Sequence, residues 1–125
     1  MGRLLVKAGV DFGPSLAPAG ARILEVLKQL VPAYAFDITI TSARDGVHSG
    51  PTDPHHSGEA FDLRTRTLTT EQKAALLADL RQTLYKTPLR HFYAFLEAPD
   101  QPNEHIHCQR RQGTVYSVDD YLNNR

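Results

Sequence analysis

The sequence predicts an α+β domain in which two main helices pack on one small, largely antiparallel sheet. Two observations predict the elements. Apolar residues recur at helical spacing in two separate stretches, and several shorter stretches alternate apolar and polar residues as half-buried strands do. A third sets the scale: 125 residues suffice for one hydrophobic core but hardly for two, so residues 1–125 read as a single domain.

The elements follow in order. Residues 13–20 are rich in Gly, Pro and Ala and read as a loop. From about Ala21, the residues Ile23, Leu24, Val26, Leu27, Leu30 and Val31 form a helical stripe that Pro32 ends. Tyr34 to Thr41 reads as a strand, with Phe36, Ile38 and Ile40 on one parity. Arg44 to Pro54 has few apolar residues and several Gly and Pro, the composition of a long functional loop. Glu59 to Arg64 is a short strand. Thr69 or Thr70 caps a second helix, with Ala75, Leu76, Leu80 and Leu84 on its inner face. Arg90 to Leu96 and Glu104 to Gln109 are two more strands, joined by a turn through Pro99, Asp100 and Pro102. Val115 to Arg125 is expected to form a short helix or to cover an edge.

Composition excludes several function classes. Lys plus Arg equals Asp plus Glu at 14 each, so there is no basic excess for nucleic acid or an anionic membrane. No stretch is long and apolar enough to span a bilayer, and the apolar run before Asp11 is too short for a convincing signal peptide. Synthesis in the cytoplasm and a monomeric state are the expectations. The single cysteine, Cys108, excludes an internal disulfide. It follows His107 on a predicted strand, so it faces the opposite side and reads as a buried structural thiol.

The chemistry is concentrated in residues 53–62 and 104–107. His55 and Asp62 in the first segment, with His107 in the second, are the donor types of a catalytic zinc site holding one ion, with a fourth position open to water. Glu104, three residues before His107, is the natural base for that water. His105 shares a strand face with His107. His56 competes with His55 as a ligand, and the spacing to Asp62 favours His55. His48 reads as an exposed loop residue.

The run His55-x-x-Gly58-x-Ala60-x-Asp62, followed by Glu104-x-x-His107, resembles the zinc peptidases of the M15 type. These comprise D-Ala-D-Ala carboxypeptidases, D,D-dipeptidases and phage L-alanyl-D-glutamate endolysins, which share the hedgehog/DD-peptidase fold. Upstream, Thr41-Ser42-Ala43-Arg44 is similar to the family's strand end before its arginine. The resemblance spans residues 38–109. It implies His55, Asp62 and His107 as zinc ligands and Glu104 as general base. It also implies Arg44 and Ser42 as substrate-binding residues, Arg44 stabilising developing negative charge, and His105 as a transition-state hydrogen-bond donor or support. The implied substrate is a peptidoglycan stem peptide, cut by an enzyme released to the cell wall by lysis or carried on a phage particle. The competing expectation is a catalytically inactive zinc-binding or wall-binding module of the same fold. A cupin-like reading of His105-x-His107 lacks the acid it needs soon after the pair.

Overall fold

The computed structural model describes residues 1–13, 18–43, 60–86, 92–110 and 118. Five strands form one mixed sheet: β1 (Leu4–Val6), β2 (Ile38–Ser42), β3 (Ala60–Arg64), β4 (Phe92–Glu97) and β5 (His105–Arg110), in the order β1-β2-β3-β5-β4. β1 runs parallel to β2, and the other three pairings are antiparallel. Two helices, α1 (Pro18–Leu30) and α2 (Thr70–Lys86), pack on each other, with α1 reaching β5 and α2 covering β4. The α+β class and the largely antiparallel sheet agree with the sequence reading.

β1 is the element that periodicity does not reveal. Its three residues have no alternation to read, and pairing with β2 is what makes them a strand. Arg3 anchors the pairing: its N–H donates to Asp37 Oδ1 at 2.8 Å, and Ile38 N–H donates to its carbonyl at 2.9 Å. Gly2 is buried against the carbonyls of Phe36 and Val31, where a Cβ would overlap them. α1 ends at Leu30, and Pro32 lies in the single 3-10 turn Val31–Ala33 that follows.

The cap of α2 is Thr69. Its hydroxyl accepts from Gln72 N–H at 3.1 Å, while Gln72 Oε1 accepts from Thr69 N–H at 3.0 Å, a reciprocal capping box. Leu76, Leu80 and Leu84 are fully buried, but Ala75 is exposed, which corrects its expected place on the inner face. At 100° per residue Ala75 lies a third of a turn from the leucine stripe, whereas Lys73 lies beside it. The stripe meets Ile23 and Leu27 of α1, and Phe61, Leu63, Phe92, Ile106 and Cys108 of the sheet, in one core.

Because side chains alternate along each strand, burying those sheet residues turns their neighbours to the other face. Rows across β3, β5 and β4 there read Ala60–Gln109–Tyr93, Asp62–His107–Phe95 and Arg64–His105–Glu97. The helices cover one side of the sheet; on the other, Ala60, His107 and Gln109 are buried while Asp62, Arg64 and His105 are partly exposed. The expected terminal segment, Val115 to Arg125, lies outside the described residues apart from Val118.

Replacing Thr69 by Ala removes the cap hydroxyl and is expected to cost about 1 kcal/mol in urea unfolding. Thr70→Ala, one residue inside the helix, is expected to change stability by less than about 0.5 kcal/mol.

Candidate metal centre

Asp62, His105 and His107 come together on the face of the sheet away from the helices, and one ligand atom from each lies within 4.8 Å of the others. Antiparallel pairing of β3 with β5 sets Asp62 directly opposite His107 and brings His105, two residues earlier, alongside Asp62. Their side chains are less than a fifth exposed.

The hydrogen bonds around the imidazoles decide where their protons sit. His105 Nδ1 lies 2.8 Å from the carbonyl of Asn103, an obligate acceptor, so this nitrogen donates. In the neutral ring Nε2 is then bare. It is buried, lies 2.5 Å from Glu97 Oε2 and 3.5 Å from Asp62 Oδ1, and makes no directed hydrogen bond to either. Gln109 Nε2 donates to the carbonyl of Arg110 at 2.9 Å, which turns its Oε1 toward His107 Nε2 at 2.6 Å. His107 Nε2 therefore donates; its Nδ1, 3.0 Å from Asp62 Oδ1, is unprotonated in the neutral ring and donates to Asp62 in the charged one.

With both rings neutral, two imidazole lone pairs would face carboxylate oxygen, an arrangement that repels unless a cation sits between them. A proton can play that part: burial disfavours a charged His107, yet its hydrogen bonds with Asp62 and Gln109 outweigh this and raise its pKa. A divalent metal ion plays it equally well, since ligand nitrogens must be deprotonated and their other nitrogens held by acceptors. Two nitrogens and a carboxylate oxygen are a donor set that suits zinc.

Ser42 is the Cα partner of Asp62 across an irregularity in the β2–β3 pairing. Arg44, His48, His55 and His56 lie outside the described residues. Cys108 faces the core as expected, its thiol donating to the carbonyl of Phe61 at 3.5 Å, and burial raises its pKa.

Glu104 is placed differently from what a base for bound water requires. Its Oε1 accepts from Lys73 Nζ at 2.8 Å and from the Thr65 hydroxyl at 2.7 Å, and its Oε2 accepts from Asp100 N–H at 2.8 Å. Bonds from Lys73, Asp100 and Thr65, in that order of weight, lower its pKa to about 2. The physical reason is parity. Glu104 immediately precedes β5, and its side chain takes the opposite sense to His105, toward α2 and the β4–β5 turn. That turn places Ala98 and Asp100 at positive φ, and Glu104 ties it shut.

Three contributors had no sequence motif. Gln109 repeats the parity of His107, so it could have been placed on this face from spacing alone. Glu97 and Lys73 could not, because cross-strand register and the helix-to-turn contact are not written in local pattern. Phe95 and Tyr93 complete the β4 side, with ring centroids 5.4 and 6.4 Å from that of His107.

No protein-family model, no curated protein and no solved structure matches this chain.

Glu104 is ionised in the fold at pH values where a free carboxyl is protonated. Its contribution to stability is therefore present above its ordinary value of 4.5 and is lost as pH falls from there toward about 2. Glu104→Gln is expected to flatten the acid limb of stability against pH, followed by urea midpoints between those limits. Gln109→Met removes the acceptor that orients His107 and is expected to weaken binding of a divalent metal ion at this group, where one binds, by about 10- to 100-fold in a competitive chelator titration.

Proposed function

We propose that this protein is a zinc-dependent peptidase, acting on peptidoglycan stem peptides in the manner of the carboxypeptidases and endopeptidases that its motifs resemble. The observation that carries the metal site is the convergence of one ring nitrogen of His105 and one of His107 on Oδ1 of Asp62. Asp62 and His107 would hold the ion. The third ligand is His55 on the resemblance, with His105 the alternative that the geometry offers.

Zinc, when bound, supplies a Lewis acid that acidifies a water in its open position and polarises a carbonyl. The chain's own residues do the rest. Asn103 and Gln109 keep both imidazoles in the ligating tautomer. Arg44 and Ser42 are proposed to hold the substrate, with Arg44 opposite the charge that develops on its carbonyl oxygen. Proton transfer needs a carboxylate free to accept. Glu104 serves only if Lys73 releases it, whereas Glu97 already faces His105 across the sheet and is half exposed.

The bound state of Glu104 favours a second reading, in which the centre binds zinc without hydrolysis, as a wall-binding module would. A structural site needs no base, and the Lys73–Thr65–Asp100 clamp makes Glu104 a poor one.

About one zinc per chain is expected in the purified protein by mass spectrometry, and its loss in Asp62→Ala and His107→Ala. His55→Ala and His105→Ala then name the third ligand by which of them loses the ion. On stem-peptide fragments, release of free amine is expected for the wild type. Loss of turnover with zinc retained is expected in Glu104→Gln if that clamp opens, and in Glu97→Gln if it does not. Zinc binding with no release of amine from any fragment supports the module instead.

A further inference from the structure

Beside Asp62 and His105 the sheet opens into a cleft of about 240 Å³, lined by Lys7, Thr41, Arg64, Arg66, Asn103 and Glu104 among others. That volume is several times the roughly 30 Å³ that one water occupies in the liquid, so the cleft admits a ligand group. Its charge is unusual for a chain whose net charge is zero. Lys7, Arg64 and Arg66 all border it, and none has an acidic partner among the described residues. The acids at its edge are already committed: Glu104 to Lys73, and Asp62 to the two histidines.

Each cation is brought there by the fold. Lys7 follows β1, and its N–H donates to Ile40 O at 2.9 Å, which extends the parallel pairing by one residue. Arg64 ends β3 opposite His105, and Arg66 lies in the turn after it. Three cations gathered around one cleft repel one another, and an anion between them relieves that cost. The planar donor forks of two arginines match a carboxylate or a phosphate, and Thr41 and Asn103 add neutral polar groups at the same wall.

We propose that this cleft is an anion subsite, built by Lys7, Arg64 and Arg66, that receives a carboxylate of the ligand held at the metal centre. The choice of carboxylate over phosphate rests on the peptidase reading, because the anions of an unmodified peptide are its C-terminus and its acidic side chains. The cations themselves do not depend on that reading. On the opposite side of His107, Phe95 and Tyr93 offer an apolar wall. A peptide lying across the sheet would then have its carboxylate toward β1 and β2, and an apolar part toward β4.

Glutarate and inorganic phosphate are the probes, titrated separately at low salt into isotopically labelled protein, first without zinc and then with it. Without zinc neither probe can bind by ligating the ion. Glutarate is expected to shift the amide and guanidinium resonances of Arg64 and Arg66 and the side-chain amide of Asn103. Its affinity is expected to fall at least about tenfold in the double variant Arg64→Gln/Arg66→Gln. Arg66→Gln alone, at an exposed turn residue, is expected to weaken binding in the same direction and keeps the test valid should the double variant fail to fold. An unchanged affinity in a folded variant, or shifts scattered away from the cleft, would overturn the subsite. Phosphate binding more tightly than glutarate would overturn the assignment to carboxylate. Glutarate bound at the cleft by a zinc-loaded protein that releases no amine from stem peptides would support the subsite while removing the peptidase reading.

Discussion

The antiparallel register of β3 on β5 is the constraint on which the rest of the molecule depends. It sets Phe61 opposite Cys108 and Leu63 opposite Ile106 on the buried face, and so sets Asp62 opposite His107 and Arg64 opposite His105 on the other. A slip of one residue would push Asp62 into the core and bring Phe61 and Leu63 to the surface. Each fully buried apolar side chain is worth roughly 1.5–3 kcal/mol, so the core enforces the register far more strongly than any contact in the polar group can. The geometry of the centre is in this sense a by-product of core packing, which makes it rigid without needing strong interactions of its own.

Around that fixed pairing lies a set of acceptors whose effect is to deny the imidazoles an easy arrangement. Asn103 O and Gln109 Oε1 each claim one ring proton, which leaves the second nitrogen of each ring aimed at carboxylate, as a lone pair whenever the ring is neutral. The residual conflict is of the kind expected at functional sites, where local rules are broken and a bound group restores the balance. Lys73 and Glu104 perform the complementary task on the other side of the β4–β5 turn: they hold in place the segment that carries Asn103, and therefore the tautomer of His105.

The face of the sheet away from the helices is polar in a directional sense as well. Aromatic rings flank His107 on the β4 side, while Lys7, Arg64 and Arg66, which have no acidic partner among the described residues, gather around the cleft between β1 and the end of β3. Since charges inside a cleft are screened less than those on open surface, this asymmetry orients a ligand more than the neutral overall composition would imply.

Much of this was legible in local pattern, for physical reasons. The period of apolar residues marked α1, α2 and four of the five strands, because burial of one face imposes that period directly. Alternation alone put His105 and His107 on one face and Cys108 on the other, and residue chemistry singled out Asp62 beside them. What stayed hidden were facts about pairing: that Leu4–Val6 is a strand, that Glu97 faces His105, that Ala75 is turned outward, and that Glu104 belongs to Lys73. By itself the sequence determined the apolar stripes that form the core, the alternation of faces along the strands, and which side chains are able to ligate a metal. Only the tertiary structure decided which of them meet, because register and the approach of a helix to a turn depend on contacts between residues far apart in the chain, which no local periodicity encodes.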